Sequence, residues 1–319
     1  MEIRQLRVGG LLLPSNVLMA PLAGYTCYPF RLLARQMGAG LCFTEMVSAN
    51  ALKYKDRATR QLLFTTEEEP VKAVQLLGGS PAVMEQMAQS PFLEPFDLID
   101  INMGCPVPNV FKSGEGSALM LDMPRASAVI RACKKSGKPV SVKCRAGIRE
   151  DEMFAAEFAR MCECSGADMI TIHGRSRGMM YDGTPYYEEI AHAKAAVSIP
   201  VIANGGIFSA QDAHLMMERT GADGVMIARY ALENPFIFSE LTKTPCRKTV
   251  LDILLEQLEL TRTYYDETFT LTYMRKLASY NMKKRKGTKK YKQQLYQCGS
   301  LEELRGLLLT VFSHKQTEE

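Results

Sequence analysis

Eight short apolar runs dominate the first 230 residues, and each is followed by a polar loop. Their starts lie 24–42 residues apart, and segments with helical spacing separate several of them. The runs are 17–22, 41–46, 71–77, 98–104, 140–145, 169–174, 200–206 and 224–229, and the clearest helical segments are 81–89, 125–135, 153–164 and 210–220. This alternation predicts βα units and a parallel sheet buried on both faces. Eight such strands predict an α/β protein with a closed (β/α)₈ barrel.

The last quarter of the chain differs in charge from the rest. Residues 243–319 carry 15 Lys and Arg against 9 Asp and Glu, a net charge of +6, whereas residues 1–242 have a net charge of −2. Helical apolar spacing recurs at 250–265, 271–282 and 301–312, and the basic run 283–292 lies between the last two. We therefore expect a barrel domain over 1–242 and a small helical domain over 243–319 that binds an anionic partner.

The nine cysteines are scattered and form no Cys-x-x-Cys pair, which argues against a disulfide framework and a structural zinc site. The first residues lack the pattern of a signal peptide, and no apolar run approaches the roughly 18 residues of a membrane span. We expect a cytoplasmic protein without a metal ion, a membrane anchor or an obligate protein partner.

Polar side chains end several of the predicted strands, at the face where (β/α)₈ barrels place their active sites. Asn102-Met103-Gly104-Cys105-Pro106 spans the end of the fourth run and the loop that leaves it, the fifth run carries Lys143 and Arg145, and the sixth ends near His173. Most cysteines are small buried apolar residues. Here the flanking glycine and proline mark a loop that leaves the strand, so Cys105 is a candidate catalytic residue.

Two glycines and an arginine predict a phosphate site. Asn204-Gly205-Gly206 ends the seventh run, and Ala228-Arg229 ends the eighth. Barrels commonly bind phosphate between the loops that follow these two strands. Glycine lets backbone N–H groups approach a phosphate, and arginine can bind it through two hydrogen bonds.

The other polar residues suit FMN. Gln75 can hydrogen-bond the pyrimidine edge of an isoalloxazine ring, Lys143 can place positive charge near N1 and O2, and His173 can contact the ribityl chain or the phosphate. No Gly-x-Gly-x-x-Gly pattern follows the first run, so a Rossmann-type dinucleotide site is not indicated.

These segments together resemble the tRNA-dihydrouridine synthase family, especially its bacterial B-type branch. The most specific match is Asp100-Ile101-Asn102-Met103-Gly104-Cys105-Pro106. The other matching segments are 19–26, 44–48, 74–78, 142–147, 171–175, 202–207, 224–229 and, in the tail, 274–276.

The resemblance implies reduction of the C5–C6 double bond of uridines in tRNA, with FMN as cofactor, NADPH or NADH as reductant and Cys105 as proton donor. A thiol with an ordinary pKa is protonated at neutral pH, as that role requires. The residues implied to bind FMN are Pro21, Leu22, Ala23, Gln75, Lys143, His173, Asn204, Gly205, Gly206, Ala228 and Arg229.

Further residues are candidates for contacts with the substrate. Asn102 and Arg175 are candidates for binding the uracil edge. Lysines and arginines of the tail can bind phosphates without reading sequence. These candidates are Lys283, Lys284, Arg285, Lys286, Lys289 and Lys290.

Two other functions remain open from the residues alone. One is another FMN-dependent barrel that acts on a small molecule, similar to dihydroorotate dehydrogenases or ene-reductases, which leaves the basic tail without a role. The other is a non-catalytic RNA-binding barrel, which leaves Cys105, Lys143 and His173 without one. A flavin spectrum and a comparison of tRNA with free uridine would separate the three.

Overall fold

The computed structural model describes residues 2–283, 285 and 287–313. Within these residues, eight parallel strands hydrogen-bond in the order β10-β3-β4-β5-β6-β7-β8-β9 and close into a barrel, which confirms the predicted (β/α)₈ fold. The strands are β1 (Leu6–Val8), β2 (Leu11–Leu13), β3 (Val17–Met19), β4 (Leu41–Ser48), β5 (Ala73–Leu77), β6 (Leu98–Met103), β7 (Val140–Gly147), β8 (Met169–Ser176), β9 (Val201–Asn204) and β10 (Gly224–Ile227).

The barrel strands read as unbroken apolar runs because both of their faces are buried. One set of side chains, including Leu18, Phe43 and Met226, forms an inner apolar cluster. The alternate set, including Val17 and Met19, packs in the larger cluster that contains residues of the surrounding helices. Period-2 alternation therefore separates two apolar environments rather than core from solvent.

The sequence prediction missed the antiparallel hairpin β1–β2, whose strands have only three residues each. Its turn is Gly9-Gly10, and Gly9 has a φ of +55°, which favours glycine. Leu6, Val8 and Leu13 of the hairpin belong to the inner cluster of the barrel. The glycine pair between two apolar triplets was the available signal.

Helices follow the strands as the pattern predicts, and several begin at a capping side chain. Ser209 and Asp122, for example, accept hydrogen bonds from the backbone N–H groups of Asp212 and Arg125. The helices are α1 (Tyr28–Gln36), α2 (Ala49–Lys53), α3 (Arg57–Gln61), α4 (Pro81–Ala88), α5 (Pro108–Lys112), α6 (Met123–Lys134), α7 (Ala155–Cys164), α8 (Tyr187–Ala196), α9 (Ala210–Thr220), α10 (Tyr230–Glu233), α11 (Ile237–Thr242), α12 (Val250–Tyr264), α13 (Glu267–Asn281), α14 (Tyr291–Gln297) and α15 (Leu301–Phe312). Short 3₁₀ helices cover Pro91–Leu93, Gly116–Leu121 and Thr288–Lys290.

The C-terminal helices α12, α13 and α15 pack on one another and, through α12 and α13, on the barrel. Their apolar residues share one continuous cluster with α1 and α10. The Tyr273 hydroxyl donates to the Tyr25 carbonyl oxygen at 3.3 Å, and Asn281 Nδ2 donates to the Leu232 carbonyl oxygen at 3.0 Å. The division into domains at residue 242 stays a prediction. The contacts between the helices that follow this residue and the barrel helices α1 and α10 are part of the apolar core.

Candidate active site

A cavity of about 430 Å³ opens at the carboxyl ends of the barrel strands. Its volume lies within the roughly 300–1,000 Å³ range of small-molecule and cofactor sites. The structure brings together here every residue predicted for the cofactor, together with Cys105, Asn102 and Arg175. These lining residues are Pro21, Leu22, Ala23, Gln75, Asn102, Cys105, Lys143, His173, Arg175, Asn204, Gly205, Gly206, Ala228 and Arg229.

A chain of hydrogen bonds runs from the barrel interior to Cys105. Asp100 on β6 is fully buried; its carboxylate accepts from Ser141 Oγ at 2.6 Å and from Gln75 Nε2 at 2.7 Å. Gln75 Oε1 accepts from Asn102 Nδ2 at 2.9 Å, and Asn102 Oδ1 accepts from the backbone N–H of Cys105 at 2.9 Å. The carboxylate at one end of this chain can only accept, and the backbone N–H at the other end can only donate, so together they set the orientation of both amides.

Desolvation raises the pKa of Asp100 to about 6, although the hydrogen bonds from Ser141 and Gln75 oppose the shift. The Asp100 carboxylate is therefore ionised at pH 7.5, and the chain of donors and acceptors described above applies at that pH.

Lys143 on β7 lines the cavity. Its Nζ donates to Asn204 Oδ1 at 3.0 Å, and Asn204 Nδ2 donates to the Met226 carbonyl oxygen at 2.7 Å, so strands β7, β9 and β10 are linked. Desolvation, with the nearby Arg145 cation, lowers the pKa of Lys143 to about 8. The ammonium form still predominates at pH 7, so the cavity contains a fixed positive charge.

The glycine pair after β9 lies against two side chains of β8. Gly205 has a φ of +109°, and a Cβ at this position would lie 2.5 Å from His173 Cδ2. Arg175 Nη1 lies 3.2 Å from His173 Nε2, and Arg175 also binds the carbonyl oxygens of Asp182 and Gly183. Only glycine allows the backbone to come this close to the imidazole.

The cavity is strongly electropositive. Lys143, Arg145, Arg175 and Arg229 line it, and among the described lining residues there is no carboxylate. Burial and the neighbouring cations hold the pKa of His173 well below its usual range, so its imidazole is neutral at pH 7. Four cations with no carboxylate among the described lining residues form a site for an anion such as a phosphate monoester.

Cys105 is half-buried on the cavity wall, and burial raises the pKa of its thiol. The thiol is therefore protonated at neutral pH. Ser117 Oγ donates to the Cys105 carbonyl oxygen at 2.8 Å, and a Cβ on Gly116 would lie 2.9 Å from Cys105 Cβ. These contacts and the Asn102 bond fix the loop that carries the thiol.

Several lining residues were given no role by the sequence prediction. Arg145 donates to the carbonyl oxygens of Gly104, Ser176 and Met180 at 2.8–2.9 Å. It stands two residues after Lys143 on the same strand, so the period-2 rule places both side chains on one face of that strand. The aromatic lining residues are Tyr25, Tyr181, Phe208 and Tyr280, and the sequence assigned none of them to the cavity.

The aromatic rings contact the cations of the site. The Arg229 guanidinium lies 4.8 Å from the centre of the Tyr181 ring and 5.9 Å from that of Phe208. Tyr25 and Tyr280 meet edge to face with centroids 5.5 Å apart. Tyr280 belongs to α13, so the C-terminal helices supply part of the cavity wall.

The basic run of the tail is only partly presented to solvent. Exposed Lys283 forms an ion pair with Glu233 at 2.9 Å and lies 4.0 Å from the Tyr280 ring centre, which places the start of the run beside the cavity. Arg285 packs on Phe312 and its side chain is half-buried. Lys289 and Lys290 are exposed, whereas the predicted Lys284 and Lys286 lie outside the described residues.

Membrane-spanning and metal-binding features are absent from the described residues. None of the helices in the described part of the chain is long and apolar enough to cross a membrane. Among the same residues, no group of three or more His, Cys, Asp or Glu could hold a metal ion.

Comparisons with known proteins agree with the geometry. A family model described as dihydrouridine synthase matches residues 18–316. The tRNA-dihydrouridine synthase B of Pseudomonas aeruginosa is 35% identical over 299 residues, which cover 90% of each chain. A probable tRNA-dihydrouridine synthase 1 of Synechocystis sp. is 35% identical and covers 96% of this chain and 88% of its own.

A solved structure of morphinone reductase shares the fold, with a TM-score of 0.55 and 15% sequence identity over 76% of this chain and 89% of its own. At this identity the likeness concerns the barrel alone. The family model and the two relatives carry the assignment: the chain belongs to the dihydrouridine synthase family.

Proposed function

We propose that the protein reduces the C5–C6 double bond of uridines in tRNA to 5,6-dihydrouridine, with FMN as cofactor, NADPH or NADH as reductant and Cys105 as proton donor. Support comes from the family and from relatives named tRNA-dihydrouridine synthases. The observation that carries the proposal is the cavity, in which one protonated thiol faces a site with four cations and no carboxylate among its described lining residues.

The donor set fits FMN. The backbone at Gly205 and Gly206 with Arg229 would bind the phosphate, since the glycines leave room and the guanidinium supplies charge. Arg175 lies beside the same glycines, so we assign it to the phosphate in preference to the uracil edge for which the sequence suggested it. Lys143 and Gln75 would bind the isoalloxazine ring, which supplies a hydride when FMN is bound.

Cys105 completes the reduction. Saturating the C5–C6 bond requires a hydride and a proton, and NADPH or NADH becomes oxidised in the overall reaction. The raised pKa keeps the thiol protonated, so it can donate the proton to C5 without a second acid. Asn102 Nδ2 has a second hydrogen beyond its bond to Gln75, and we propose that this hydrogen binds a carbonyl oxygen of the uracil.

A tRNA substrate would enter between the barrel and the tail. Tyr280 lines the cavity, and Lys283, one turn later, contacts its ring. An RNA strand bound along the tail helices would therefore lead to Cys105. The target uridine must leave its stack, at a cost of a few kcal/mol that is smallest for loop bases. Lys289 and Lys290 remain candidates for backbone contacts.

The test uses the purified FMN-loaded protein, NADPH or NADH, and an unmodified tRNA transcript. We expect mass spectrometry of the digested tRNA to show uridine gaining two hydrogens, and Cys105→Ala to lose most of this product. Free uridine serves as the control substrate. Reduction of free uridine or of enones at rates above tRNA would indicate a small-molecule reductase. Colourless protein that binds tRNA without turnover would indicate a non-catalytic barrel.

A further inference from the structure

We propose that a second tRNA-binding surface lies on the barrel itself, formed by Lys53, Tyr54, Lys55, Arg57 and Arg60. In this "barrel patch", the cations bind backbone phosphates and the Tyr54 ring stacks on an unpaired base. The inference rests on the proposed function, because it names a further contact with the same substrate.

The barrel patch lies on the same face as the cavity. Helix α2 begins at Ala49, directly after β4, and Met46 of β4 lines the cavity. Tyr54 is eight residues from Met46, which limits their separation to at most about 28 Å. Asn50 Nδ2 donates to Glu115 Oε1 at 3.2 Å, so α2 also touches the loop that follows Cys105. A polynucleotide whose base enters the cavity extends over this face.

The cations of the barrel patch are available. Lys53, Lys55, Arg57 and Arg60 are all exposed, and within the described residues none of them forms an ion pair. The one acidic residue among them, Asp56, caps α3 by accepting from the Thr59 backbone N–H at 2.6 Å. Residues 53–60 therefore carry a net charge of +3; the Asp56 carboxylate interacts electrostatically with Arg60, whose guanidinium lies 6.0 Å from the centre of the Phe92 ring.

Tyr54 gives the patch an aromatic platform. Its side chain is 80% exposed, more than any other large hydrophobic residue in the described chain. It stands between two lysines, and Lys55 has a φ of +59°, which non-glycine residues rarely adopt. Exposed rings among cations are typical of surfaces that bind single-stranded nucleic acid by stacking.

The tail does not make this surface redundant. Lys283 is engaged by Glu233, and Arg285 packs on Phe312, so two of the predicted tail cations already have intramolecular partners. An acidic protein would also be attracted to the four charges. The exposed ring and the position on the face that carries the cavity favour the nucleic-acid substrate over such a partner.

The charge test compares Lys53→Gln/Lys55→Gln with Arg4→Gln/Arg7→Gln. The control removes the same charge from exposed residues beside and within the β1–β2 hairpin, where Arg4 pairs with Asp223 just before β10, at the opposite end of the barrel. The affinity of FMN-loaded protein for tRNA is measured against salt concentration. Log affinity falls as log salt concentration rises. We expect this fall to be less steep in the patch variant, with a slope smaller in magnitude by about 1.4–1.8, because two phosphate contacts are lost at about 0.7–0.9 each.

The stacking test compares Tyr54→Ala with Tyr54→Phe, which keeps the ring. Loss of one stacked base is worth about 1–3 kcal/mol, so the alanine variant should bind tRNA about 5- to 150-fold more weakly, and the phenylalanine variant should bind as wild type does. Equal slopes for patch and control variants, or unchanged affinity for Tyr54→Ala, would overturn the inference. Dihydrouridine formation by wild-type protein tests the proposed function separately, so the two failures can be told apart.

Discussion

Replacing Asp100 by Asn tests whether the buried carboxylate lowers the stability of the fold while it orients the amides of the site. Desolvation raises its pKa from 3.8 to about 6, a difference worth about 3 kcal/mol. The folded protein thus binds this proton more tightly than the unfolded chain. Its contribution to stability falls as pH rises from about 4 to about 6 and stays constant above.

The asparagine variant avoids the charge but loses the acceptor-only side chain that orients Gln75. One mispaired hydrogen bond costs about 1–2 kcal/mol. We therefore expect the unfolding free energy of Asp100→Asn to exceed that of wild type by about 1–2 kcal/mol at pH 7.5 and to fall below it near pH 4. Dihydrouridine formation should fall at least about tenfold, since Gln75 loses the acceptor-only carboxylate that fixes its orientation, whereas the backbone N–H groups of Gly104 and Cys105 still hold Asn102.

Urea unfolding of both flavin-free proteins between pH 4 and pH 8 measures the difference curve, in which other titrating groups cancel. Ser141→Ala is the matched control, because it removes one bond to Asp100 and leaves an acceptor-only carboxylate facing Gln75. A difference that is flat with pH, or that favours wild type at pH 7.5, would refute the desolvation argument. Full activity of Asp100→Asn would refute the orienting role.

Three further substitutions address the cofactor and the acid. Cys105→Ala should reduce tRNA about 10²–10⁴-fold more slowly while flavin reduction by NADPH, followed by absorbance, stays near wild type; equal tRNA reduction would remove Cys105 from the mechanism. Arg229→Ala should lose a charge-assisted bond worth about 1.5–3 kcal/mol, so gel filtration should yield mostly colourless protein; full flavin occupancy would place the phosphate elsewhere. Gly205→Ala introduces a methyl group 2.5 Å from His173 at a φ of +109°, and fluorescence titration should show FMN affinity falling at least tenfold. Unchanged affinity would mean that the phosphate does not approach this backbone.

The fold was predictable because its signal is local. Each barrel strand begins within two residues of its predicted start, since an apolar run without alternation specifies a strand buried on both faces. The runs at 17–22 and 224–229 continue past β3 and β10, because their last residues turn out of the sheet to line the cavity.

The site was predictable where a reactive or charged residue stands at the carboxyl end of a predicted strand, as Cys105 and Lys143 do. The orienting role of Asp100 was not predictable, because it depends on which neighbours two adjacent strands place against it. Tyr181 and Tyr280 reach the cavity from a loop and from a distant helix. Only the closed tertiary structure brings them there.

The packing of the tail on the barrel has a consequence for how such a chain can be divided. A chain cut at residue 242 would expose Phe30, Leu33 and Met37, which α12 and α13 now cover. It would also remove Tyr280 from the edge of the cavity. An exposed apolar face of this kind promotes aggregation. The tail is thus not an interchangeable module: a barrel of this sequence that lost it or exchanged it would need a new set of apolar partners to fold without aggregating.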